Sequence, residues 1–160
     1  MGKLNFLGAG PKIATVLLPW LTITIILSNL YKGHFSYISN NAKPFHIAGI
    51  LLLVFGVVFY ASTVKLLLKG LKEIKLVTNG AYYLCQNPLY SSILLFIIPS
   101  VSLLLNSWLI LTSSIAGYIA FKLCIRKEYV ELEKFFGNEY IKYKNATPEF
   151  FPIPIKKWFR

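Results

Sequence analysis

Four apolar runs dominate the pattern of hydrophobic and polar positions along the chain. An α-helix rises about 1.5 Å per residue, so about 20 residues cover the roughly 30 Å hydrocarbon core of a bilayer. Helices are expected because lipid offers no hydrogen-bond partner to an open backbone. The pattern therefore predicts four transmembrane helices, with the last two joined as a tight hairpin by Asn106-Ser107. The runs cover Ile13 to Tyr31, Ile47 to Leu68, Pro88 to Leu105, and Trp108 to Ile125.

Helical periodicity continues into the polar segment after the last apolar run. Between Arg126 and Gly137 the apolar residues recur at a spacing that places them on one stripe of a helix. At about 100° per residue Glu128 falls beside that stripe, so we expect its carboxylate to face inward at the membrane boundary. The predicted fold class is all-α: a polytopic membrane protein with about four transmembrane helices and a short cytoplasmic C-terminal helix, in a single domain over residues 1–160.

Composition and charge support a membrane protein. The chain is 56% hydrophobic and 14% charged, with a net charge of +11. Fifteen of the 17 Lys and Arg residues lie before the first run, at the end of the second run and in the loop after it, or at and after the end of the fourth. This is the distribution that the positive-inside rule describes, so we expect both termini and the loop at 69–87 to be cytoplasmic. The same distribution argues against a nucleic-acid partner.

The central loop combines a turn signal with a helix start. Asn79-Gly80 is typical of a turn in which Gly80 takes a positive φ. Asn87-Pro88 is typical of a helix N-terminus, because Asn is a favoured N-cap and Pro a favoured first helical residue. Free N–H groups there suit a carboxylate, such as the amino-acid end of a cofactor. The residue types are also explained without a ligand, since every helix needs a cap and tyrosines such as Tyr82 and Tyr90 are common at membrane interfaces.

Two segments resemble the cofactor-binding core of the isoprenylcysteine carboxyl methyltransferases and the related phospholipid methyltransferases. The first is LVTNGAYYLCQNPLY, from Leu76 to Tyr90, and the second runs from Glu128 through the FFGNEY sequence to Tyr143. The resemblance covers about residues 70–155, including the tail Pro148 to Pro152. In that family the two segments enclose S-adenosylmethionine against the cytoplasmic ends of the last helices.

The resemblance implies a set of cofactor contacts and one candidate for the acceptor. Gln86-Asn87 stand where many members have Arg-His, and Tyr129 replaces the second residue of an acidic pair. Cys124 stands where the prenylcysteine enzymes have an Arg that contacts the substrate. Arg126 is near enough in sequence to substitute for it, and is therefore the candidate catalytic residue that holds the acceptor carboxylate. The implied cofactor-binding residues are Lys75, Leu76, Val77, Tyr82, Asn87, Pro88, Leu89, Tyr90 and Glu128.

The expected function is carboxyl O-methylation of a lipophilic, prenylcysteine-like acceptor by S-adenosylmethionine. A carboxylate is ionised at neutral pH and needs no general base. Two alternatives stay open. The Asn87-Pro88-Leu89-Tyr90 sequence is also similar to the phospholipid amine N-methyltransferases, and a membrane protein without turnover, such as a scaffold or transporter subunit, has the same hydropathy. The two cysteines, Cys85 and Cys124, fit no metal spacing. The expected partners are the acceptor and membrane lipid.

Overall fold

The computed structural model describes residues 8–37 and 42–153, and within these ranges the chain is helical without a β-strand. Eight α-helices follow one another in the described ranges, with one π-helical turn at Ser92–Ile97 and one 3-10 turn at Trp108–Ile110. The prediction of an all-α fold is confirmed. The helices are α1 (Gly10–Leu30), α2 (Lys32–Phe35), α3 (Lys43–Glu73), α4 (Ala81–Leu84), α5 (Pro88–Ser91), α6 (Ile98–Leu104), α7 (Leu111–Phe136) and α8 (Asn138–Ala146).

Three of the four predicted membrane helices are long and apolar enough to cross a bilayer: α1, α3 and the continuous helix Trp108–Phe136. The fourth is the shorter run Pro88–Leu104, made of α5, the π turn and α6, which we call the composite helix. Large apolar side chains such as Leu18 and Leu51 are exposed along α1 and α3. Such surfaces suit lipid, and the chain is a membrane protein.

The helical periodicity predicted from Arg126 to Gly137 is confirmed. This stretch is the last part of α7, which continues unbroken to Phe136. Gly137 ends α7 with a φ of +54°, a conformation that glycine adopts without steric cost. The short C-terminal helix is α8, which starts directly afterwards.

A seven-residue repeat of small side chains brings α3 close to the composite helix. The buried residues of α3 are Gly49, Gly56, Thr63 and Gly70, one every seven positions. A β-carbon at Gly56 would lie 2.9 Å from the β-carbon of Phe96, so the two backbones approach more closely there than a side chain permits. Small residues at such positions allow helices in membranes to pack through their backbones. This repeat was not predicted from the sequence.

The π turn in the composite helix has a local cause. Pro99 lacks an N–H group, and its ring crowds the carbonyl four residues earlier, that of Leu95. Leu95 lies within the π turn Ser92–Ile97, which widens the helix just before the proline. The helix therefore accommodates Pro99 through a wider turn and continues to Leu104.

The polar segments gather at two opposite ends of the bundle. At one end, the hydroxyl groups of Ser28 and Ser107 lie 2.7 Å apart, and Tyr37 contacts Ser102. At the other end the start of α1, the loop after α3, and the C-terminal part of the described chain meet. The apolar core lies between α1, the composite helix and α7; its members include Ile13, Leu17, Leu94, Ile98, Phe121 and Ile125.

Candidate functional site

The candidate site is built around the carboxylate of Glu128, which faces inward on α7 as its helical position predicts. The backbone N–H of Ala9 donates to Oε2 of Glu128 at 2.9 Å. Gly8 has a φ of +49°, and a β-carbon at that position would lie only 2.5 Å from the same oxygen. The chain just before α1 therefore passes directly over the carboxylate, and Gly8 leaves it room to do so.

Three tyrosine side chains lie within electrostatic reach of this carboxylate. They come from three different elements: Tyr82 from α4, Tyr90 from α5 and Tyr140 from α8. Burial, and then the negative charge of Glu128, raises the pKa of Tyr82 and of Tyr140 well above the ordinary value. Both hydroxyl groups are therefore protonated at neutral pH and can act as hydrogen-bond donors beside the carboxylate.

Tyr140 is a site residue that was not predicted from the sequence. Its side chain is 2% exposed, and its hydroxyl group has no hydrogen-bond partner in the part of the chain that the structure describes. A buried polar atom left without a partner costs about 1–3 kcal/mol, so such atoms are commonly found where a ligand or water binds. The available signal in the sequence was Gly137, a residue that commonly ends a helix. The chain turns there, and Tyr140 on the next helix is buried in the bundle.

Gln86, Asn87 and Ser91 hold the end of α8 and the segment after it, an arrangement that we call the tail clamp. The side-chain amide of Gln86 donates to the carbonyl of Thr147 at 2.6 Å and to that of Lys144 at 3.0 Å. The Asn87 amide donates to the carbonyl of Glu149 at 2.9 Å, and Ser91 donates to that of Phe150. The residues that replace Arg-His in the resemblance thus anchor the chain here.

Asn87 occupies the predicted N-cap position of α5, but its side chain does not cap the helix. The predicted helix start at Asn87-Pro88 is confirmed, and the side-chain amide of Asn87 takes part in the tail clamp. The same amide also donates to the hydroxyl group of Tyr129.

Tyr129, which stands in place of an acidic residue, forms a hydrogen bond with a carboxylate from the tail, that of Glu149. Its hydroxyl group donates to Oε1 of Glu149 at 3.2 Å. The other oxygen of Glu149 accepts a hydrogen bond from Lys122 at 2.6 Å. A second carboxylate therefore lies beside α7, although it comes from the tail and is neutralised by a lysine.

The remaining predicted cofactor residues have different environments. Lys75 is exposed and pairs with Glu73 at 3.7 Å. Val77 packs closely against Gly70, where a β-carbon would lie 2.2 Å from its Cγ2 atom. These two residues secure the end of α3, whereas Tyr82, Tyr90 and Glu128 come together. Of the others, Leu76 and Leu89 are partly buried, and Pro88 is buried at the start of α5.

Arg126 is not brought together with Glu128. Both residues belong to α7, and two positions on an α-helix are turned about 200° from each other. Arg126 is exposed, whereas Glu128 is partly buried beneath the start of α1. The two side chains therefore project from nearly opposite faces of α7.

No family model matches the chain, and no curated protein matches it either. In the described ranges, no group of three or more His, Cys, Asp or Glu side chains is placed to hold a metal ion. The site is thus defined by its geometry: one inward carboxylate, three tyrosines, and a short stretch of chain that covers them.

Proposed function

We propose that this chain is an integral membrane methyltransferase that binds S-adenosylmethionine beside Glu128. The observation that carries the proposal is the inward carboxylate together with the buried, unpartnered hydroxyl group of Tyr140. The cofactor carries a sulfonium, an ammonium group and several hydrogen-bonding atoms. A carboxylate suits the cationic part, and a protonated tyrosine hydroxyl suits an acceptor atom.

Glu128 has the capacity to bind a cation without losing its present partner. Ala9 uses only Oε2, and a carboxylate offers about four lone-pair sites on its two oxygens. The segment at Gly8 to Gly10 then covers the bound group. Such a cover would exclude water, which strengthens a charge interaction inside the site.

S-adenosylmethionine supplies an activated methyl group for in-line displacement, so the contribution of the protein is mainly alignment of the two reactants. Well-oriented reactants can provide about 7–11 kcal/mol of the barrier. In this proposal the tail clamp fixes the start of the composite helix, and with it Tyr90, relative to α7. The clamp therefore positions residues and takes no part in the displacement itself.

A lipophilic carboxylate is the acceptor that we favour. Burial raises the pKa of Tyr82 and of Tyr140, so neither hydroxyl group is a competent base at neutral pH. An ionised carboxylate needs no base, whereas a protonated amine must lose a proton before it attacks. The Asn87-Pro88-Leu89-Tyr90 sequence keeps phospholipid amine N-methylation as the second candidate.

The experiment uses the full chain in phosphatidylcholine vesicles with cofactor that carries a labelled methyl group. A prenylcysteine analogue and phosphatidylethanolamine are supplied in separate reactions, and the products are treated with alkali. We expect label on the prenylcysteine analogue that alkali releases as methanol, since esters hydrolyse and N-methyl groups do not. Alkali-stable label on the phospholipid would replace the carboxylate with the amine as acceptor.

Variants of adjacent residues provide the control. Glu128→Gln removes the charge of the proposed site and should lower transfer at limiting cofactor concentration, because cofactor binding is weakened. Lys127→Gln changes the neighbouring residue, which is exposed on α7, and should leave transfer intact. The absence of labelled product with either acceptor, in protein that is folded, would contradict the proposed function.

A further inference from the structure

A cluster of three lysines lies outside the candidate site, near the C-terminal end of α3. Lys65, Lys69 and Lys72 line an open groove with Leu68, and its volume is about 290 Å3. All three lysines are exposed. We call these four residues the lysine groove.

The level of the groove along α3 coincides with the edge of the hydrocarbon core. Residues 44–64 of α3 contain no Lys, Arg, Asp or Glu. At about 1.5 Å per residue this segment is about 31 Å long, close to the thickness of the core. Lys65 therefore lies where the core ends, and the other two lysines lie one and two turns further out, among the headgroups.

The groove also faces lipid rather than protein. At about 100° per residue, the three lysines lie roughly 180–240° around the helix from Thr63, which is on the packed face of α3. Leu51, Val54 and Val58 lie on the same side as the lysines and are exposed. The lysine groove is thus the continuation, at headgroup level, of the lipid-facing surface of α3.

We propose that the lysine groove binds the headgroup phosphate of an anionic phospholipid in the adjacent leaflet. The positive charges of the lysines and the negative charges of the headgroups lie at the same level, and each basic residue near an anionic membrane surface is attracted to it. Glu73 pairs with Lys69 of the groove at 3.9 Å and with Lys75 at 3.7 Å, whereas Lys65 and Lys72 form no ion pair with a described residue. Leu68 contacts the upper part of the acyl chains. This site does not depend on the proposed enzymatic function.

The test is native mass spectrometry of the full chain, released from micelles that contain equal amounts of phosphatidylglycerol and phosphatidylcholine. The variant is K65Q/K69Q/K72Q. The control is K127Q/K134Q/K142Q, which removes three exposed lysines from α7 and α8 and changes the net charge equally. We expect the wild-type protein and the control to retain phosphatidylglycerol preferentially, and the groove variant to lose at least about tenfold in retention.

An equal loss in the two triple variants would show that total charge, rather than the groove, attracts the lipid, and would overturn the proposal. It would also be overturned if inorganic phosphate displaced the lipid at equal concentration. The single variants Lys65→Gln and Lys72→Gln guard against misfolding of the triple variant, and each should lose part of the retention. Full retention in both would contradict the assignment.

Discussion

At the scale of single residues, two tyrosines of α8 have different roles. The hydroxyl group of Tyr143 donates to the carbonyl of Tyr82 at 2.7 Å and so ties α8 to α4. Tyr140, three positions earlier, is more deeply buried but has no such partner among the described residues. One tyrosine therefore stabilises the fold, while the other leaves hydrogen-bonding capacity for a ligand.

Replacing each tyrosine by phenylalanine should separate these roles. Tyr143→Phe removes a donor and leaves a partly buried carbonyl unsatisfied, so we expect a loss of about 1–3 kcal/mol in the free energy of unfolding. Tyr140→Phe removes an unsatisfied group and should leave the unliganded protein equally stable or slightly more stable. Denaturant unfolding in detergent, without added cofactor, measures both. Equal destabilisation by the two variants would mean that Tyr140 has a structural partner.

The site could be predicted in part at this scale. Glu128 was placed facing inward because a single helical period determines its direction, and Gly80 takes the positive φ of 58° that Asn79-Gly80 predicts. The roles of Gln86 and Asn87 could not be predicted, because their partners follow about 60 positions later in the chain. The cover formed by Gly8 and Ala9 was missed for the same reason: its partner is Glu128, 119 positions away from Ala9.

At the scale of helices, α3 depends on close backbone contact as well as on hydrophobicity. Hydropathy predicted this helix, because a long apolar segment in lipid must satisfy its own backbone hydrogen bonds and a helix does so. It did not predict which face packs, because the contacting residues are three glycines and a threonine, which contribute little to hydropathy. The seven-residue spacing was the available signal, since it keeps one narrow face against a neighbouring helix.

Gly56→Ala should destabilise the bundle. The added β-carbon would lie 2.9 Å from that of Phe96 and 3.2 Å from a side-chain carbon of Ile97. Overpacking of this kind costs about 1–3 kcal/mol, although alanine by itself favours a helix over glycine. Thermal unfolding of the detergent-solubilised protein measures the change. Gly33→Ala in α2 is the control, because no described atom lies within 4 Å of the added carbon; a comparable loss in both variants would refute the packing explanation.

At the scale of the whole molecule, the candidate site lies at one of the two polar ends of a lipid-exposed bundle. The distribution of lysine and arginine assigns three segments to one side of the membrane, and these segments meet at that end. They are the start of α1, the loop before α5, and the chain from the end of α7 onward. That this end faces the cytoplasm stays a prediction of the positive-inside rule. An acceptor that partitions into lipid and a cofactor that dissolves in water can both reach a site at such a boundary.

Cofactor binding is the central claim, and isothermal titration of the purified chain with S-adenosylmethionine tests it most directly. We expect saturable binding by the wild-type protein. Glu128→Gln should weaken binding by about 1–3 kcal/mol, or roughly fivefold to 150-fold, because it removes the charge that faces the cation. Lys127→Gln should bind as the wild type does. No heat of binding in the folded wild-type protein, or equal affinity in all three proteins, would contradict the assignment of this site.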